Sequence, residues 1–220
     1  MAAVAAPQVA VSAVAEEYFD VMTVECSERS GDTSFEARVD MPVGGGDAVM
    51  ASVRKWMEEV LDTEVSLDVP PSGFEGALRK VGGEWIRNDG AGQHRVEITW
   101  LYEDPTCVSY DAVITDRDSV VWTTSFVASF SKRDGHRVSV KEVFGCDERQ
   151  IKRLMWKYRG DLPMEVSSPD GLYVGDVAFV DGWVIVTGPA RGTSGAEYRL
   201  RYPEIEQWLV PARGEGYLAY

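Results

Sequence analysis

Phe35, Ala37, Val39 and Met41 alternate with Glu36, Arg38 and Asp40, the period-two pattern of a strand with one buried face, and Pro42 with Gly44 to Gly46 ends it. The period then changes. Val49, Met50, Val53, Trp56, Met57, Val60 and Leu61 recur at intervals of one, three and four, which predicts an amphipathic helix capped by Asp47. From Asp62 to Gly92 the pattern weakens under Pro70, Pro71, Gly73, Gly76, Gly82 and Gly83, predicting a loop-rich connection with short helical pieces around Phe74 to Val81.

Alternation returns in three segments, carried by Val96 to Tyr102, Val108 to Ile114 and Trp122 to Phe130. The short turns between them, at Asp104-Pro105 and Asp116 to Asp118, predict antiparallel neighbours. Asp134-Gly135 then predicts a tight hairpin into Val138-Ser139-Val140, because both residues tolerate the positive φ such a turn demands. Ile151, Leu154, Met155 and Tyr158 mark a helix after Asp147. Asp181-Gly182 joins two further strands, Val177–Val180 and Trp183–Val186, and the strand Tyr198–Tyr202 leads into a short helix started by Pro203.

This order predicts an α+β fold, with antiparallel sheet and helices packed on one face, since parallel alternation would need a helix after every strand. Residues 1–15 are expected to be a signal-like or flexible tail. Residues 16–110 are expected to form an N-terminal lobe and residues 111–220 a C-terminal lobe.

Charge narrows the partners. The chain has 22 basic and 36 acidic residues, a net charge of −14, and no basic cluster to follow a phosphate backbone, so nucleic acid is not an expected partner. No stretch reaches the roughly 18 apolar residues of a membrane span. The opening MAAVAAPQVAVSAVA is small and apolar, and Ala13-Val14-Ala15 before Glu16 has the form of a signal-peptidase site, although the usual basic leader is missing; the expectation is export. Cys26, Cys107 and Cys146 allow at most one disulfide and match no paired CxxC zinc pattern. With two histidines far apart in sequence, no metal or cofactor is expected.

Candidate chemistry is sparse. Gly188 to Gly195 is a glycine-rich stretch that can cradle an anion through its amides, with Arg191, Thr193 and Ser194 adding charge and hydroxyls; it lacks the Gly-Lys-Ser/Thr ending of a P-loop, and an ordinary connection is the simpler reading. Asp116 and Asp118 resemble paired carboxylates, but turn chemistry also explains them. His94 and His136 lie in expected loops with no Ser or Cys motif beside them, and read as surface histidines with no catalytic residue assigned. The seven tryptophans are expected in core or interface, since a sugar platform would need exposed rings along one strand face.

Asp134-Gly135-His136-Arg137-Val138-Ser139-Val140-Lys141-Glu142-Val143-Phe144 resembles a motif of the exported domain shared by the anti-sigma factor RsiV and the accessory region of the peptidoglycan deacetylase PdaC. Val177 to Val186, Gly188 to Gly195 and Leu200 to Leu209 are similar to the closing hairpin, loop and terminal helix of that family. Val39-Asp40-Met41-Pro42, followed by the helix from Asp47, is similar to its N-terminal half. Two features depart: Thr115 to Ser119 replaces a Gly-Gly-Ala-His-type turn, and Arg201-Tyr202-Pro203 replaces Ile-Pro-Tyr. The resemblance implies a non-catalytic extracytoplasmic domain that senses or binds a protein or a peptidoglycan fragment. The alternatives are an enzyme acting on cell-wall glycan through a spatially assembled site, and an acidic inhibitor of a basic enzyme such as lysozyme.

Overall fold

The computed structural model describes residues 18–88, 91–164, 166–191 and 193–210. The signal-like stretch at residues 1–15 lies outside them. Along the chain run β1 (Asp20–Ser30), β2 (Thr33–Gly44), α1 (Asp47–Val60), α2 (Phe74–Asn88), β3 (Gln93–Glu103), β4 (Cys107–Arg117) and β5 (Val121–Ser131). They are followed by α3 (Val140–Val143), α4 (Glu148–Lys157), β6 (Val177–Val180), β7 (Trp183–Ala190), β8 (Thr193–Arg201) and α5 (Tyr202–Ile205). Hydrogen bonding orders the strands β1-β2-β3-β4-β5-β8-β7-β6. The fold is α+β.

Most neighbours are antiparallel. β2 and β3 pair in parallel, because the chain crosses from one to the other through α1 and α2 over a single face. That face carries Phe35, Ala37, Val39 and Met41 on β2, with Val96 and Ile98 on β3 and Tyr110 and Ala112 on β4. Val53, Trp56 and Met57 of α1 and Leu78 and Val81 of α2 close the first core against it. The opposite face is polar, with Glu25 opposite Arg38 and Arg38 opposite Glu97. Strand alternation thus separates a greasy side from a charged one.

β5 and β8 are joined by only two parallel pairs, Thr123 with Thr193 and Thr124 with Ser194. A five-stranded part, β1 to β5, therefore meets a three-stranded part, β8-β7-β6, at a short seam. β6 and β7 also fold across the polar face, where Ala178 and Ile185 meet Val127 and Leu101. A buried pair, Ser109 and Ser129, anchors this contact: their hydroxyls are 2.7 Å apart, and Ser109 Oγ accepts from Phe179 N at 3.1 Å. The second core packs Ile151, Leu154 and Met155 of α4 against Val184, Val186, Tyr198 and Leu200. A division between residues 110 and 111 falls inside β4, which belongs wholly to the five-stranded part.

Three local expectations need correction, and one strand, β1, had no counterpart in the sequence pattern. The stretch expected to hold only short helical pieces is one 15-residue helix, α2. Gly82 there does not punctuate; a Cβ on it would lie 2.5 Å from the Phe35 ring, so the helix uses glycine to approach the sheet. β1 carries no clear alternation, because as an edge strand it buries only Val24 and Cys26. Asp47 lies one residue inside α1, where its charge favours the helix N-terminus, while Gly46 holds the cap position. Finally, the Asp134-Gly135 turn forms, but Val140 belongs to α3 and not to a strand: Ser139 and Glu142 make a reciprocal capping box that starts the helix.

Candidate functional site

Parallel pairing places the starts of β5 and β8 side by side, so the β4–β5 turn and the β7–β8 turn share one rim of the molecule. Two glycines allow close backbone approach near this rim. Gly92, at φ +76°, lets the chain entering β3 pass under the Arg117 carbonyl, where any Cβ would overlap it. Gly195, at φ +73°, does the same against the Ser125 carbonyl and thereby admits β8 to the edge of β5.

The rim gathers the residues singled out from sequence. Asp116 pairs with Trp122 across the β4–β5 hairpin, and Asp118 lies in its turn, exposed, with its amide 3.4 Å from the Val120 carbonyl. Arg191 is exposed in the β7–β8 turn and its amide donates to Pro163 O at 2.5 Å. The backbones of Thr193 and Ser194 form the seam with β5. The stretch from Gly188 to Gly195 is a hairpin more than an open loop: Gly188 opposes Ala196, Ala190 opposes Thr193, and a Cβ on Gly188 would lie 2.5 Å from Met155 Cε. Tyr198, its hydroxyl pushed up to about 12 by burial, donates to Pro189 O at 2.5 Å and braces the hairpin.

Sequence reading missed the apolar content of this rim. Val120 is 71% exposed, Val121 58% and Trp122 47%, three consecutive greasy side chains at a hairpin tip. The signal was present as Val120-Val121 next to the turn, but alternation assigned Trp122 to a strand core.

Both histidines sit against carboxylates, at separate places. His94 is not a loop residue; it lies in β3, largely buried, stacked on Trp85 at 4.7 Å and Phe35 at 5.6 Å, with Nδ1 2.5 Å from Asp116 Oδ1. The contact ties His94 to the end of β4, at the foot of the rim. His136 lies in the turn after β5, 2.6 Å from Asp134 and 2.8 Å from Glu142.

Below the rim, on the polar sheet face, Asp111 is lifted to about 6 by burial and then by the Glu197 charge, against the opposing pull of Arg199. Arg199 donates to Glu197 at 3.0 Å, so Asp111 faces an acid whose own counter-ion is already engaged. Among the described residues no cluster of three or more His, Cys, Asp or Glu is arranged to hold a metal ion, and the three cysteines are free thiols. No helix among them is long and apolar enough to cross a membrane.

No family model matches the sequence, and no curated protein does either. Solved structures do match. A DUF3298 family protein from Pseudomonas aeruginosa PAO1 is 9% identical with a TM-score of 0.56, the match covering 92% of this chain and 99% of that one. A member of the same family from Bacteroides fragilis NCTC 9343 is 10% identical with a TM-score of 0.59, covering 88% and 94%. At these identities the likeness is one of fold: the chain is built like solved DUF3298 family proteins over nearly its whole described length.

Proposed function

We propose that the chain is a non-catalytic, extracytoplasmic binding domain that meets a protein or a cell-wall fragment with the rim formed by its β4–β5 and β7–β8 turns. The observation that carries this reading is the exposed run Val120, Val121 and Trp122. Greasy side chains left exposed in succession at a hairpin tip gain nothing in water, and exposed apolar groups beside polar ones mark a contact surface. Arg191, Thr193, Ser194, Asp116 and Asp118 are assigned as the polar contacts around it. The net charge of −14 favours a basic protein partner by speeding encounter. Export is supported by the A-x-A pattern at Ala13 to Ala15 and by the resemblance to the RsiV and PdaC exported domains, which is consistent with a DUF3298-like fold.

Calorimetry of the purified chain with peptidoglycan fragments and with a basic enzyme such as lysozyme is the test. One of them binds, neither is turned over, and the triple variant V120S/V121S/W122S binds at least about tenfold more weakly, a loss of about 1.4 kcal/mol, with unchanged thermal stability. Equal binding by the variant, or turnover abolished by changing one polar residue, overturns the proposal. A second reading, a glycan-cleaving enzyme, is favoured only by Asp111, whose carboxyl holds its proton up to about 6 and so suits a proton donor. Asp111→Asn without effect on any hydrolysis detected would remove it.

A further inference from the structure

His136 is held between two acids on different elements. Its Nδ1 lies 2.6 Å from Asp134 Oδ1, in the turn that leaves β5, and its Nε2 lies 2.8 Å from Glu142 Oε1, in α3. A neutral imidazole carries one N–H and one lone pair, so it satisfies one carboxylate and turns a lone pair on the other; only the imidazolium donates to both. We propose that His136 is a proton-operated clasp that fastens the start of the second core to the end of β5 and opens when the ring loses its charge.

The two anchors are well fixed. Gly135, at φ +75°, packs the turn onto α1, where a Cβ would overlap the Ala48 carbonyl and come within 2.9 Å of Ser52 Oγ. Glu142 uses its other oxygen to accept from Ser139 N at 2.8 Å and Ser139 Oγ at 2.7 Å. Beyond α3, Gly145 N donates to Trp208 O and Val210 N to Val143 O, so movement of α3 reaches the C-terminal segment. The charged groups facing the ring are Asp134 and Glu142; Arg133 pairs with Asp134 at 3.2 Å, and the α1 atoms nearest Gly135 are those of the neutral Ala48 carbonyl and Ser52 hydroxyl. The hydrogen bond the ring donates to Asp134, joined by the one to Glu142 and opposed by partial burial, raises the His136 proton affinity above the ordinary imidazole value of 6.5. Because the folded value is the higher one, the clasp's contribution is complete below 6.5 and is lost as pH rises through the folded value. The ring is 40% exposed, so protons reach it freely.

The test uses the full chain, with NMR titration of the histidine ring and hydrogen exchange of residues 139–145 corrected for intrinsic rates. His136 titrates above 6.5, and exchange of those amides accelerates as it deprotonates. Glu142→Gln, which keeps an oxygen for the Ser139 cap, lowers the titration midpoint, and a shift of one pH unit corresponds to about tenfold in proton affinity. His136→Gln makes exchange of the segment independent of pH. A midpoint at or below 6.5, or exchange of residues 139–145 that ignores the ring's charge in the wild type, overturns the clasp.

Discussion

Asp111 shows what alternation places and what it leaves out. The strand pattern Val108, Tyr110, Ala112 and Ile114 already turns Asp111 to the face away from the helices, and the structure keeps it there. Nothing local could announce that β8, some 80 residues later in the chain, brings Glu197 against it. The same holds for His94: expected in a loop, it lies in β3, and its partners Trp85 and Asp116 come from α2 and β4. For Asp111, folding favours the protonated form. Its contribution is present below 3.8, the ordinary value, and is lost as pH rises through about 6. Asp111→Asn is therefore expected to stabilise the protein at pH 8 by on the order of 2 kcal/mol and to change little at pH 4. Urea denaturation at both pH values checks this; a gain of equal size at each would show that Asp111 is not strained by its charge.

At the scale of elements, α2 was the part least legible from sequence. Glycines read locally as breaks, whereas two of them have opposite meanings in one helix. Gly76 faces open space, and Gly82 faces the Phe35 ring. Gly76→Ala should stabilise by about 0.5–1 kcal/mol through helix propensity alone. Gly82→Ala gains the same propensity but forces the helix off the sheet, and overpacking of about 1–3 kcal/mol outweighs it. Thermal unfolding of the two variants should shift Tm in opposite directions. α1 was legible from its apolar stripe, α4 from its stripe together with the Asp147 cap, and the Asp181-Gly182 hairpin from its turn residues. β1 was not, because an edge strand packed on one side for part of its length has too few buried positions to set a period.

For the whole molecule, the α+β layout followed from the order of periodic segments, since antiparallel meanders need only local turns. The seam between β5 and β8 did not. It joins segments about 70 residues apart through two residue pairs and depends on Gly195 passing beneath a carbonyl, none of which leaves a periodic trace. Yet that seam brings Asp116 and Asp118 to the same rim as Arg191, Thr193 and Ser194, and sets Val120 to Trp122 between them. Hydrogen–deuterium exchange of the chain, alone and saturated with whichever protein or peptidoglycan fragment binds in calorimetry, tests the rim directly. Protection concentrated at residues 116–124 and 190–195 is the expected result; protection confined to the charged face around Glu36 and Arg95, with the two turns unchanged, would contradict it.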